Sequence, residues 1–211
     1  MKPTYKNSRT HPVIGLTGPM CAGKNQAGFF FEKKGFYVVD ADQTARTALL
    51  LIQEQVLSTF SADAKKNNID ICNPDGSINR KALGELLFKD KKLLSLHEQL
   101  IYPKINHLLE QEIQTHPNTV VVINAALLHK TPILDRCDCV FFIDAPYLLR
   151  FIRAKKRDSL SIFQIYARFS SQKNLFAQYI SKKVDILRVQ NGRNVQALEK
   201  RLELLLLQRG Y

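Results

Sequence analysis

The sequence has few cysteines, few acidic residues and no long apolar run, and these shortages exclude several classes of protein. Its four cysteines, Cys21, Cys72, Cys137 and Cys139, form no C-x-x-C pairs and have no histidine at a zinc-binding spacing. No run approaches the roughly 20 apolar residues of a membrane helix, and the opening MKPTYKNSRTHP lacks the apolar segment of a secretion signal. We therefore expect free thiols, no membrane partner and a cytoplasmic location.

The shortage of acidic residues leaves a strongly basic chain. Lysine and arginine number 31 against 19 aspartates and glutamates, for a formal charge of +12 over 211 residues. Such a charge attracts anions, which leaves nucleic acid, an anionic membrane surface and phosphorylated small molecules as partners. The basic residues are scattered, without the interleaved aromatics of a single-strand binder. We therefore favour small phosphorylated molecules and expect no nucleic-acid partner.

Short apolar segments predict a parallel β-sheet. They do not alternate strictly between apolar and polar residues, as expected for strands that helices cover on both faces, and an α/β fold follows. A helix ending at Gly35 follows the first strand, and 195–208 reads as a closing amphipathic helix. The predicted strands are 12–17, 36–40, 119–125, 139–145 and, with mixed alternation, 184–192.

Two stretches are too long to be simple connections. The first has helical spacing in 41–60, 79–88 and 92–114, with NPDGS (73–77) as a turn. The second, 150–183, is basic and helical, as a lid over phosphates would be. The predicted organisation is an N-terminal extension (1–11), a nucleotide-binding core (12–45, 117–149 and 184–211), a helical domain (46–116) and a lid (150–183).

The segment GPMCAGKN, residues 18–25, has the glycine and lysine spacing of a phosphate-binding P-loop, between a predicted strand and helix. Backbone N–H groups of such a loop bind phosphate, and Lys24 would reach the β- and γ-phosphates. Asn25 stands where a serine or threonine normally binds Mg²⁺, although its carbonyl oxygen is also a hard ligand. The alternatives are a glycine-containing surface turn and a protein that binds nucleotide without turnover.

Charged residues near strand ends are further candidates. Asp40 ends the second strand, where ligands of open α/β sheets bind, and is a candidate to orient an attacking hydroxyl; the alternative is a helix N-cap. Asp144 ends the fourth strand, as a metal-side carboxylate or an ordinary strand end. Arginine binds phosphate oxygens in pairs, and the candidate arginines are Arg46, Arg150, Arg153, Arg157 and Arg168.

Beyond the loop, VVDADQTAR (38–46) is a much more specific pattern, and the chain resembles bacterial dephospho-CoA kinases through it. The likeness continues through DGSINRKALGELLF (75–88), LIYPKI (100–105), VFFIDAP (140–146), RAKKRDSLS and the Asn-Gly pair at 191–192. The resemblance implies a P-loop kinase core with a five-stranded parallel sheet flanked by helices, a helical CoA-binding insertion and a helical lid. It also implies transfer of phosphate from ATP, with Mg²⁺, to the ribose 3'-hydroxyl of dephospho-CoA.

The resemblance implies roles for individual residues. The ATP-binding set would be Gly18, Cys21, Ala22, Gly23, Lys24, Asn25, Gln26, Asn191 and Gly192, the last two near the adenine. Asn25 would be the metal ligand. The catalytic set would be Asp40, Lys24 and Arg153, and the substrate side would hold Asp40, Arg46, Tyr102 and Leu127.

The chain departs from this family at three places. The chain has Tyr102-Pro103 where the family usually has His-Pro, and Ala-Leu-Leu-His-Lys at 126–130 where the family has Pro-Leu-Leu-Phe-Glu. Lys183 stands where the family normally has an Ala-Asp pair. We expect a monomer or weak homo-oligomer. The alternatives are a nucleoside monophosphate-type kinase on the same core and a catalytically weak nucleotide-binding protein.

Overall fold

The computed structural model describes residues 12–157, 161–182 and 184–211. The expected extension 1–11, residues 158–160 of the expected lid and Lys183 lie outside this range. Contacts divide the chain into two compact units, Ala41–Gln111 and the remainder on either side of it. We call the first the helical unit and the second the sheet unit. The functions assigned above to separate domains stay predictions.

The secondary structure of both units consists of five strands and nine α-helices in the described residues, numbered here in chain order. The strands are β1 (Val13–Thr17), β2 (Tyr37–Asp40), β3 (Val121–Asn124), β4 (Cys139–Asp144) and β5 (Ile186–Gln190). The helices are α1 (Lys24–Lys33), α2 (Ala41–Leu51), α3 (Gln53–Lys66), α4 (Arg80–Lys89), α5 (Lys91–Thr115), α6 (Tyr147–Arg157), α7 (Ile162–Ser171), α8 (Leu175–Ile180) and α9 (Val195–Gln208). Two short 3₁₀ helices, Leu128–Lys130 and Pro132–Arg136, lie between β3 and β4.

The strands form one sheet in the order β2-β3-β1-β4-β5, and each neighbouring pair is parallel. The five-stranded parallel sheet expected from the sequence is therefore confirmed. Its central strands are buried because helices cover them: Phe31 of α1 packs edge-on against Phe141 of β4, with ring centroids 5.3 Å apart. The closing helix α9 turns its buried leucines, Leu198, Leu202 and Leu206, into the same core.

The helical unit has an apolar core of its own. Val56, Phe60 and Ala64, four residues apart on α3, are buried in one cluster with Leu83 and Leu86 of α4. The turn predicted over 73–77 is present and carries a left-handed glycine, Gly76. The helix predicted over 41–60 is instead two helices, since α2 ends at Leu51 and α3 begins at Gln53.

The apolar character of the helices and the state of the cysteines complete the description of the fold. Among the described residues, no helix combines the length and the apolar character that crossing a membrane requires. None of the four cysteines forms a disulfide; Cys137 and Cys139 are buried, whereas Cys21 and Cys72 are partly exposed.

Candidate active site

The loop between β1 and α1 has a backbone shape that depends on glycine. Gly18 has φ 153°, and a Cβ there would lie 2.1 Å from the Ile143 carbonyl oxygen. Gly23 has φ 103°, and a Cβ there would lie 2.1 Å from Asn191 Nδ2. Gly23 also immediately precedes α1 and has no side chain to cap it. The first turn of α1 therefore presents its N–H groups to an anion, as a phosphate-binding loop requires.

Asn191 and Arg153 donate hydrogen bonds to backbone carbonyl oxygens of this loop. Asn191 is only 2% exposed, and its amide donates to the Ala22 carbonyl oxygen at 2.8 Å. Arg153 donates to the carbonyl oxygens of Cys21 and Asn191, both at 3.4 Å. Cys21 itself adopts a left-handed φ of 61°, unusual for a residue with a side chain. The structure thus brings Arg153 and Asn191 to the loop.

Met20 is held at both of its backbone groups. Arg150 Nε donates to the Met20 carbonyl oxygen at 2.9 Å, and Gln172 Oε1 accepts from its N–H at 2.8 Å. The Arg150 guanidinium lies 4.4 Å from the Phe169 ring centroid, and burial lowers its pKa. Arg150 therefore stabilises the conformation of the loop through the hydrogen bond that its Nε donates to Met20. Arg157 and Arg168 are exposed on α6 and α7.

Asp40 and Asn124 are neighbours at the carboxyl ends of β2 and β3, and Lys24 of α1 reaches Asn124. Asn124, the last residue of β3, is paired in register with Asp40 of β2 on one side and Leu16 of β1 on the other. Lys24 Nζ donates to Asn124 Oδ1 at 2.5 Å, and Asn124 is only 6% exposed. Since neighbouring strands lie about 4.8 Å apart, a cation, an amide and a carboxylate border one small region. Groups of these kinds can position and neutralise a phosphoryl group.

Sequence reasoning missed Asn124, although a signal for it was present. Asn124 is the next-to-last residue of the third predicted strand, 119–125, and Asp40 is the last residue of the second, 36–40. The strand-end criterion that selected Asp40 would have selected Asn124 as well.

The remaining predicted residues occupy different places. Asn25 and Gln26 are exposed in the first turn of α1, Gly192 is exposed just beyond β5, and Leu127, directly before a 3₁₀ helix, is 44% exposed. Arg46 (α2) and Tyr102 (α5) belong to the helical unit. Tyr102 donates to Glu98 Oε1 at 3.4 Å, and burial raises its pKa to about 12.

Asp144 has its hydrogen-bonding capacity engaged. One carboxylate oxygen accepts from Arg188 Nε at 3.0 Å, and the other accepts from the Ala145 N–H at 2.8 Å. Arg188 in turn stacks on Phe176, with its guanidinium carbon 4.7 Å from the ring centroid. These contacts favour the interpretation of Asp144 as a strand-end residue over that of a metal-side carboxylate.

A glycine loop between the central parallel strand and a helix, with a lysine at the helix start and this strand order, defines a P-loop kinase fold. Solved structures agree. The crystal structure of TT1252 from Thermus thermophilus has a TM-score of 0.78 at 24% identity, covering 94% of this chain and 98% of the other. A dephospho-CoA kinase from Campylobacter jejuni has a TM-score of 0.68 at 22% identity, covering 93% and 96%.

Sequence comparison identifies the family within this class. The profile for dephospho-CoA kinase matches residues 12–191. A dephospho-CoA kinase from Treponema denticola is 38% identical over 203 residues, 94% of this chain and 91% of that protein. One from Treponema pallidum is 35% identical, with 94% and 96% covered. The chain belongs to the dephospho-CoA kinase family.

Proposed function

We propose that the protein transfers the γ-phosphate of ATP to the ribose 3'-hydroxyl of dephospho-CoA, giving coenzyme A and ADP in the last step of coenzyme A synthesis. The observation that carries the chemistry is the Lys24–Asn124 hydrogen bond, with Asp40 as the register neighbour of Asn124, beside the glycine loop. Family membership over most of the chain supports the choice of acceptor.

ATP binding is assigned to the loop and its neighbours. The N–H groups of 23–26 would bind phosphate oxygens, and Lys24 would move its charge from Asn124 to the β- and γ-phosphates. Asn191 and Gly192 lie in the loop after β5, which we assign to the adenine side. Arg153 already donates to the loop at Cys21, so that a small rotation of its side chain would carry the guanidinium to the phosphates.

Transfer itself requires little beyond position and charge. Asp40 would accept a hydrogen bond from the 3'-hydroxyl and take its proton as the hydroxyl oxygen bonds to the γ-phosphorus. The bond between that phosphorus and the bridging oxygen breaks, and ADP leaves with the electron pair. Lys24 and Arg153 stabilise the negative charge on the transferred group.

The residues at the start of α1 fit Mg²⁺. Asn25 is exposed in a first turn that holds no acidic side chain, and its carbonyl oxygen is a hard donor. Within the described residues, no group of three or more His, Cys, Asp or Glu could hold an ion by itself. The ion would therefore be bound by phosphate oxygens and Asn25, and would neutralise part of the phosphate charge.

The other parts of the chain receive their functions in the same proposal. Arg46, Tyr102 and Leu127 would contact dephospho-CoA, with 46–116 as its binding domain, and 150–183 would close as a lid that excludes water. The protein would act in the cytoplasm as a monomer or weak homo-oligomer. Light scattering during gel filtration, with and without ATP, measures the oligomeric state.

The test is an assay of ADP release with ATP, Mg²⁺ and a panel of acceptors. We expect dephospho-CoA, and not nucleoside monophosphates, to stimulate release. Lys24→Ala and Asp40→Asn should each lose on the order of 10² or more in kcat. Lys33→Ala, on the same helix as Lys24 but ion-paired with Glu199, is a matched control that should retain activity.

The metal assignment is tested in the same assay by varying Mg²⁺. Asn25→Ser restores the usual hydroxyl, and we expect a lower half-saturating Mg²⁺ concentration with little change in the KM for dephospho-CoA. Stimulation by a nucleoside monophosphate alone would instead identify a different kinase. ATP binding without ADP release would identify a nucleotide-binding protein.

A further inference from the structure

Tyr179 of α8 is fully buried, and its hydroxyl lies between two separate segments of the sheet unit. It is 2.9 Å from the hydroxyl of Thr17, the last residue of β1, and 3.2 Å from the backbone nitrogen of His129. Thr17 Oγ1 is also 3.4 Å from the Ala126 carbonyl oxygen. The exposed fraction of both Thr17 and Tyr179 is 0%, so that water does not compete for these bonds.

Counting protons gives each of these bonds a direction. The Ala126 carbonyl oxygen can only accept a hydrogen bond, so the Thr17 hydroxyl donates its single proton to it. Tyr179 must then donate to Thr17 Oγ1, and its oxygen accepts from the His129 N–H. The result is a continuous chain of donors from His129 through Tyr179 and Thr17 to Ala126. Without the Tyr179 hydroxyl, the His129 N–H would lose its acceptor and Thr17 Oγ1 would lose a donor.

Aromatic neighbours pack against the Tyr179 ring and thereby restrict the position of its hydroxyl. Phe142 and His129 pack edge-on against it, with ring centroids 5.8 Å and 5.0 Å away. The phenol is protonated at physiological pH even at its ordinary pKa, and burial raises the pKa of Tyr179 further, to about 12. The group is therefore a permanent donor at a fixed point.

The hydrogen-bonded chain contacts both ends of one short turn. Ala126 accepts at the beginning of the turn and His129 donates at its end, while Leu127 between them remains substantially exposed. Thr17, a middle member of the hydrogen-bonded chain, directly precedes Gly18 of the phosphate loop. The turn that displays Leu127 is thus fixed to the strand from which the phosphate loop departs.

We propose that Tyr179 is a positioning residue for the acceptor substrate: its hydroxyl fixes the turn 126–129 against the end of β1 and so places Leu127 for contact with dephospho-CoA. The inference deepens the proposed function and rests on it, because Leu127 has a substrate to contact only if dephospho-CoA is the acceptor. Tyr179 touches neither ATP nor the reacting atoms in this role.

The test uses Tyr179→Phe, which removes one oxygen and keeps the ring. We expect faster hydrogen–deuterium exchange in the peptide covering 126–130, because the His129 N–H loses its acceptor. The KM for dephospho-CoA should rise about five- to tenfold, the usual result of losing one buried hydrogen bond, while the KM for ATP stays the same. Tyr166→Phe, an exposed tyrosine on α7, should change neither quantity.

A second variant separates positioning from general loosening. Leu127→Ala should raise the KM for dephospho-CoA, and adding Tyr179→Phe to it should raise that KM no further. Unchanged exchange at 126–130 in Tyr179→Phe would overturn the proposal whatever the kinetics, as would an equal rise in both KM values. If the unaltered protein does not phosphorylate dephospho-CoA, the proposed function fails and the substrate role with it, whereas the exchange data still report on the hydroxyl.

Discussion

The sheet unit and the helical unit each have an apolar core, but the sheet unit also buries hydrogen-bonded polar residues next to the phosphate loop. Thr17, Asn124 and Asn191, buried polar residues of the sheet unit, surround the phosphate loop and are hydrogen-bonded to it or to its neighbours. The helical unit has an apolar cluster around Phe60 and Leu86. Hydrogen bonds fix direction and distance, whereas apolar burial is non-directional. Single-atom changes should therefore matter most in the sheet unit, and changes of volume in the helical unit.

The largest effect is expected from Gly18→Ala in the sheet unit. The new methyl group would lie 2.1 Å from a backbone oxygen of β4, which cannot move without disturbing the sheet. The loop must shift instead, and a misplacement of about 1 Å costs roughly 10²-fold in rate. Steady-state ADP release measures this loss as kcat/KM for ATP.

The matched control for Gly18 is Gly84→Ala in the helical unit. Gly84 lies within α4, and a Cβ there would meet nothing within 4 Å. We expect a gain of about 0.5–1 kcal/mol in the free energy of unfolding and an unchanged kcat/KM. Equal losses of activity in both variants would contradict the distinction between the two units.

The next effect is on stability and belongs to the helical unit. Leu86→Ala removes a fully buried side chain from the apolar cluster, and we expect the free energy of unfolding to fall by about 2–5 kcal/mol. The kcat measured well below the melting temperature should change little. Urea denaturation measures the first quantity, and Phe88→Ala, 84% exposed on the same helix, is the control that should be nearly silent. A large fall in kcat without a fall in stability would contradict this view.

A smaller effect returns to a single hydrogen bond of the sheet unit. Asn124→Leu keeps the approximate shape of the side chain but removes the oxygen that accepts from Lys24. We expect kcat to fall about tenfold because the hydrogen bond that positions Lys24 is lost. Asn124→Asp keeps an acceptor at the same place and should retain most of the rate. The melting temperatures of both variants distinguish misplacement of Lys24 from unfolding. If Asp failed as badly as Leu, acceptance from Lys24 would not be what Asn124 contributes.

The sequence was most informative where function or burial leaves a local pattern. The strand runs, the glycine loop and the family pattern at 38–46 predicted the five-stranded parallel sheet of a P-loop kinase core. The break between α2 and α3 was not predictable in this way, because Leu50, Leu51 and Ile52 continue the apolar spacing across it. Apolar spacing reports burial and is silent about a local turn in the backbone.

The hydrogen-bond partners of the site were harder to predict for a different reason. Thr17 and Tyr179 are 162 residues apart in sequence, and Lys24 and Asn124 are 100 apart. Their meeting follows from the register of β1 with β3 and from the packing of α8, neither of which has a local sequence signal. The position of Asn124 near a strand end has a sequence signal, but its pairing with Lys24 and the contacts of Tyr179 on α8 need the fold before roles can be assigned.

The smallest expected effect concerns His97, a polar residue in the helical unit. Its Nε2 is buried without a hydrogen-bond partner, and burial lowers its pKa, against the opposing charge of Glu98. The unfolded chain therefore binds a proton more readily than the folded one, so that stability is full above the ordinary pKa and declines as the pH falls through it. His97→Leu should lose less stability than the unaltered protein between about pH 7.5 and about pH 5.5, measured by urea denaturation. His107→Leu, an exposed histidine on the same helix, should decline like the unaltered protein; if His97→Leu did so too, apolar burial at His97 would have no influence on proton binding.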